Sequence, residues 1–189
     1  MLTLNRMRVA ILLFPLLLGA AGPLTGQTVI LVRHAEKANM PGNDPPLSEA
    51  GRARAEALQA ALQHANISHI IVTSRQRTTL TAASVISARH LTPVVVPLGG
   101  GDSAHVAAVA AAVRRIPKGE AVLVVGHSNT VPPIIAALGG PRLPDLCDAS
   151  YSTIFVLELD SSPVRLVRAH FGAPDPAGAD SCTTGMESH

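Results

Sequence analysis

Residues 28–37, TVILVRHAEK, decide the fold. Val29, Ile30, Leu31 and Val32 form an unbroken run of branched and aliphatic side chains, the pattern of a buried strand, and the run passes directly into Arg33, His34, Glu36 and Lys37. A buried strand therefore delivers a charged cluster at its C-terminal end. In open α/β sheets that end is where loops and helix N-termini meet ligands. His34 falls there, and the rest of the chain reads as scaffold or complement for it.

Working outward, residues 38–47 (ANMPGNDPPL) are a loop of turn formers, and Ser48 is an N-cap with Glu49 in the first helical turn. The helix runs over 49–63, with Ala50, Ala53, Ala57, Leu58, Ala61 and Leu62 at helical spacing. Arg52, Arg54 and Glu56 are expected on its solvated side. A second strand, 69–74, turns into a helix over 75–90 and places Arg77 at the junction. A third, 93–98, is broken by Gly99, Gly100 and Gly101 before a helix that starts at Asp102 and ends at Arg115. A fourth, 121–126, presents His127, Ser128 and Asn129 ahead of a short helix over 131–138, whose first turn tolerates Pro132 and Pro133. Strands 151–159 and 164–171 pair antiparallel across a short turn.

Strands alternating with helices predict a single α/β domain, with a mostly parallel central sheet, helices on both faces and an antiparallel edge strand. Four strand ends then carry Arg33 with His34, Arg77, Asp102 and His127. In a parallel sheet those ends share one edge.

The 189 residues suffice for one compact domain. Apolar residues make up 47% but aromatics only 2%, so the core is aliphatic and there is no stacking platform for sugars or single-stranded nucleic acid. Arg6 and Arg8 precede an apolar run over 9–21 that is shorter than the roughly 20 residues a bilayer requires and contains Pro15. A basic segment, a short apolar run and small residues read as a signal peptide over 1–26, which implies an exported, periplasmic or extracellular domain without stable membrane insertion. Without Arg6 and Arg8 the 15 basic residues fall to 13, equal to the 13 acidic ones. No nucleic-acid footprint is expected. Cys147 and Cys182 are the only cysteines; in an oxidising compartment they are expected to pair and to tether an otherwise flexible tail over 173–189 to the domain at 27–172.

Two histidines and two arginines at one edge suit a tetrahedral dianion, because guanidinium groups donate paired hydrogen bonds to phosphate oxygens. A neutral imidazole among them can also attack phosphorus while the cations stabilise the charge on the transferring group. Arg33-His34 in an R-H-x-E-K setting, the S-x-x-R-x-x-x-T-A run from Ser74 to Ala82, and Gly126-His127 at a strand end together resemble the histidine phosphatase (phosphoglycerate mutase-like) superfamily. The resemblance spans residues 28 to about 172 and, by three signatures in order, is specific.

It implies a phosphomonoester hydrolase in which His34 forms a phosphohistidine while Arg33, Arg77 and His127 clamp the phosphoryl group. The acid for the leaving oxygen would be Asp102, with Glu36 as competitor. Ser128 stands where one branch of the family has an acid. Glu36 and Asn129 are candidate substrate contacts, with backbone amides over 128–131 adding to the anion site. A small phosphorylated substrate is expected, and neither a metal nor another cofactor. Three alternatives stand beside this: an exported phosphate-binding protein without turnover, a serine esterase using Ser128 in a near match to G-x-S-x-G, and a metal site from His34, Glu36, His105 and His127.

Overall fold

The computed structural model describes residues 26–179. The leader expected at 1–26 and Cys182 therefore lie outside the described residues, apart from Gly26 itself. Ten elements follow in order: β1 (Thr28–Arg33), α1 (Glu49–Ala61), β2 (Ile67–Thr73), α2 (Gln76–Arg89), β3 (Val94–Val96), α3 (Asp102–Arg114), β4 (Ala121–Gly126), α4 (Val131–Ala137), β5 (Thr153–Glu158) and β6 (Arg165–His170). Six strands form one sheet in the order β3-β2-β4-β1-β5-β6. The four strands from β3 to β1 pair parallel, β5 runs antiparallel to β1, and β6 runs antiparallel to β5.

The two central strands are hydrophobic throughout because both of their faces are covered. Along β1, Val29 and Leu31 point to one core, with Val109 and Val113 of α3 and Ile134 and Ile135 of α4. Ile30 and Val32 point to the other, with Leu58 of α1 and Val85 of α2. Period-two alternation thus assigns each aliphatic side chain of β1 to a core. At about 25 cal/mol per Å² of apolar area, these aliphatic layers are the main stabilising term in a chain with so few aromatics.

Local chemistry sets where the elements begin. Ser48 caps α1 by accepting from Gly51 N at 3.0 Å. Thr78 Oγ1, in the first turn of α2, accepts from Thr73 N at 3.1 Å and locks the strand-to-helix turn. Strand β3 is three residues, shorter than the sequence pattern implied, and Val94 and Val95 are half exposed because it lies at the sheet edge. The stretch expected as a flexible tail begins as a strap: Asp175 accepts from the amides of Tyr151 and Ser152 at 3.0 Å, and Ala179 is buried.

Arg54 corrects the sequence pattern. Expected on the solvated side of α1, it is only 5% exposed. Its Nε donates to both Glu36 carboxylate oxygens, at 2.9 and 3.0 Å, and its Nη1 donates to Phe171 O at 3.1 Å and Ala173 O at 2.9 Å. A buried guanidinium is tolerable because its donors are matched. The same helix presses on the loop after β1, since a Cβ on Gly51 would lie 2.2 Å from Glu36 O. Gly51→Ala is therefore expected to lower unfolding free energy by about 1–3 kcal/mol through overpacking, read as an earlier urea midpoint with an unchanged slope.

Candidate active site

Backbone pairing brings the two histidines together. In the β1–β4 register Arg33 faces Gly126, and His34 N donates to Gly126 O at 2.9 Å. The residues that follow each strand must then be neighbours, and the His34 and His127 rings meet edge to face with centroids 5.3 Å apart. Both are buried. A cavity of about 390 Å³ opens over them, lined by Arg33, Lys37, Arg75, Arg77 and Asp102 among others.

His34 has a defined tautomer. Its Nδ1 lies 2.8 Å from Ala35 O, an acceptor, so Nδ1 carries the proton and Nε2 keeps its lone pair. Burial lowers its pKa to about 4, helped by Arg77, Arg33 and Lys37 and opposed by the hydrogen bond to Ala35 O. The imidazole is thus neutral at pH 7. The loop after it is tied to α2: Ala35 N donates to Thr81 Oγ1 at 2.9 Å, and that hydroxyl donates to Arg77 O at 2.7 Å.

His127 is the complementary tautomer. Arg77 Nη2 lies 3.4 Å from His127 Nδ1, which must accept, so Nε2–H donates to Thr73 Oγ1 at 3.1 Å. Burial first, then the His34 and Arg77 neighbours, lowers its pKa to about 3. Its backbone is fixed too, with His127 N donating to Thr130 Oγ1 at 2.9 Å.

The two arginines are built differently. Arg33 is 5% exposed; its Nη1 donates to Cys147 O at 2.7 Å, Asp148 O at 3.0 Å and Ser150 O at 3.3 Å, and the Tyr151 ring centre lies 4.2 Å from its Cζ. Arg77 is more open and stands 3.6 Å from Asp44 of the 38–47 loop. Burial lowers both pKa values, yet both remain cations at neutral pH. Among the described residues the Nε atoms of both are buried without an acceptor.

At the rim, Asn129 Nδ2 donates to Asp102 Oδ2 at 2.8 Å, so both reach the cavity as a pair. Glu36 does not line it. As a substrate contact or reserve acid it is corrected by its pairing with Arg54, which holds the carboxylate towards α1 and the C-terminal strap. The amides of Thr130 and Val131 are likewise taken by His127 O, at 3.2 and 3.0 Å, and do not face an anion. Among the described residues Ser128 Oγ has no histidine partner, and both His127 nitrogens are engaged elsewhere, which removes the base an esterase needs. The metal set is not assembled either. Glu36 is held by Arg54, His105 Nδ1 donates to Pro97 O at 2.9 Å, and no group of three or more potential ligands occurs among the described residues.

Sequence inspection missed Arg75, Tyr151, Thr73 and Arg54. Arg75 precedes the noticed Arg77 by two residues and lines the same cavity. Tyr151 and Arg54 act across more than 100 residues of chain, which no local pattern encodes. Cys147 is disulfide-bonded, while the partner expected for it, Cys182, lies outside the described residues.

Residues 29–97 match the family model described as histidine phosphatase superfamily, branch 1. No curated protein matches the chain. Among solved structures, it resembles the protein histidine phosphatase SixA complexed with tungstate at 21% identity, over 76% of this chain and 96% of that one, with a TM-score of 0.58. An Agrobacterium tumefaciens protein assigned as the phosphohistidine phosphatase SixA is 27% identical over 78% of this chain and 98% of its own, with a TM-score of 0.55. A mycobacterial glucosyl-3-phosphoglycerate phosphatase in complex with VO3 is 19% identical over 78% and 99%, with a TM-score of 0.58. The matched segment, the shared fold and the cluster of two histidines and two arginines make this chain similar to the histidine phosphatase superfamily and support phosphatase activity.

Proposed function

We propose that the chain hydrolyses phosphomonoesters in two displacements through a phosphohistidine on His34. The observation that carries this is the His34 tautomer: Nδ1–H is committed to Ala35 O, so the unprotonated Nε2 is the ring's reactive nitrogen beside Arg33, Arg77 and His127. In the first step Nε2 forms a bond to phosphorus as the bond to the leaving oxygen breaks. Arg33 and Arg77 offset the phosphoryl charge, and their unpartnered Nε–H groups are suited to its oxygens. Asp102 gives its proton to the leaving oxygen, oriented by Asn129. In the second step water, losing a proton to Asp102, forms a bond to phosphorus as the Nε2–P bond breaks, which releases phosphate and returns His34 to the neutral state.

The substrate class follows from the cavity. Lys37 and Arg75 line it, and neither makes an ion pair or a side-chain hydrogen bond among the described residues. A second cavity of about 260 Å³, lined by residues of the 38–45 loop, shares Lys37 and Arg77 with the first. These features support a small polar leaving group that adds negative charge of its own. Small phosphomonoesters with a second acidic group, phosphorylated envelope glycans among them, fit such an open site. Export to the periplasm or exterior, by the leader read at 1–26, would place the enzyme among such substrates.

Incubation with p-nitrophenyl phosphate tests the chemistry. His34→Ala should abolish release, and an alkaline quench of the parent protein should show phosphate on His34 by peptide mass spectrometry. Turnover that survives His34→Ala would end the proposal. Arg33→Ala and Arg77→Ala should each lower kcat by about 10²–10³-fold, the scale for losing one preorganised donor to a developing charge. Asp102→Asn should cost more on an alkyl phosphate than on p-nitrophenyl phosphate, whose leaving group needs little protonation.

Burial of the two neutral imidazoles has its own signature. Both folded-state values, about 4 and about 3, lie below the unfolded value of 6.5. As pH falls from 6.5 towards 4 the unfolded chain takes up protons that the folded one refuses, so stability declines across that window and is independent of these groups above it. Urea denaturation at pH 7 and pH 5 should show the loss, and His34→Gln with His127→Gln should flatten it.

A further inference from the structure

Arg33 is held by a segment that has no secondary structure of its own. Three carbonyls, of Cys147, Asp148 and Ser150, accept from its Nη1, and Tyr151 stacks over it, yet residues 147–151 belong to neither helix nor strand. Something else must fix their conformation, because a loop that shifts by about 1 Å moves the guanidinium with it, on the scale at which catalysis suffers.

The residues after β6 supply that restraint. Asp175 Oδ1 accepts from Tyr151 N and Ser152 N, each at 3.0 Å, and Oδ2 accepts from Ser152 Oγ at 2.7 Å. Ser150 Oγ donates to Ala179 O at 2.7 Å. The strap is itself anchored, since Arg54 Nη1 donates to Phe171 O and Ala173 O and Arg54 Nη2 lies 3.7 Å from Asp175 Oδ1. Gly172, at φ +68, lets the chain turn there from β6 onto the sheet end.

We infer that residues 171–179 form a strap that sets the Arg33 guanidinium for the phosphoryl group, with Asp175 as the positioning residue. Asp175 touches no reacting atom; it acts through Tyr151 and the 147–151 carbonyls. The same carboxylate also lends Arg33 a favourable field, while burial opposes its ionisation and the Tyr151 and Ser152 hydrogen bonds and Arg54 hold it below the usual carboxylate range. The inference rests on the reading of Arg33 as a phosphate ligand.

Inorganic phosphate binding to the His34→Ala protein, measured by calorimetry, provides a readout that does not depend on turnover. Asp175→Ala in that background is expected to weaken phosphate about tenfold, the scale of one misplaced charge-assisted hydrogen bond. In His34→Ala/Arg33→Ala it should weaken phosphate no further, because the two changes remove the same contact. Asp175→Asn, which keeps an acceptor for the amides, should fall between, and it serves if the alanine variant does not fold. An equal effect of Asp175→Ala with and without Arg33, or none in either, overturns the strap. Phosphate binding unaffected by Arg33→Ala would instead overturn the role given to Arg33, and the strap's with it. In the otherwise native chain Asp175→Ala should lower kcat for p-nitrophenyl phosphate in the direction of Arg33→Ala and by less, with no further loss once Arg33 is alanine.

Discussion

The structure depends on the parallel pairing of β1 with β4. That ladder sets Arg33 opposite Gly126 and lets His34 N donate to Gly126 O, so the two histidines become neighbours through main-chain geometry before either side chain makes a contact. A one-residue slip would exchange the two faces of β1, sending Val29 and Leu31 towards α1 and α2 and Ile30 and Val32 towards α3 and α4. Both cores resist this, so hydrophobic packing on two sides holds the register that the chemistry needs. Stability and site geometry are here one constraint.

The electrostatic cost of the site is met by placement. Burying two imidazoles would be expensive if either were charged, and the arginines beside them favour the neutral forms further. Neutrality then gives each ring one donor and one acceptor nitrogen. His34 donates to Ala35 O and keeps Nε2 unprotonated, whereas His127 donates to Thr73 and turns Nδ1 towards Arg77. Two residues of the same type, in similar burial, come to differ because their hydrogen-bond partners differ. Arg33 and Arg77 are likewise unlike, one fixed by three carbonyls and the other resting near a single exposed-loop carboxylate.

Local sequence carried the elements that are local in cause. Helix and strand alternation, the N-cap at Ser48 and the strand-end position of His34, Arg77, Asp102 and His127 were all legible because each depends on a few consecutive residues. Arg54 was misjudged for the opposite reason. Its position on the helix matches a solvated one, and only the return of the chain at Phe171 and Ala173, more than 100 residues later, turns it inward. Glu36 shares that fate, since a carboxylate two residues from His34 looks catalytic until Arg54 is seen across from it. Tyr151 and Asp175 lie in segments of low regularity, where composition reads as loop and the contacts are invisible.

The assignment of Asp102 gains most from this correction. With Glu36 bound by three hydrogen bonds from Arg54, using it as an acid would mean releasing the buried guanidinium it is paired with, which would be left with Asp175 at 3.7 Å. Asp102 carries no such debt. It begins α3 at the cavity rim, exposed, and its partner Asn129 comes from the turn that also presents His127. A side-chain amide can hold the carboxyl in place in either protonation state, because Nδ2–H needs only one carboxyl oxygen and the other remains to carry or release a proton. An ion pair would favour the charged state instead. The rim pair is therefore suited to a group that must gain and lose a proton in every cycle, and the Arg54–Glu36 pair to one that must never move.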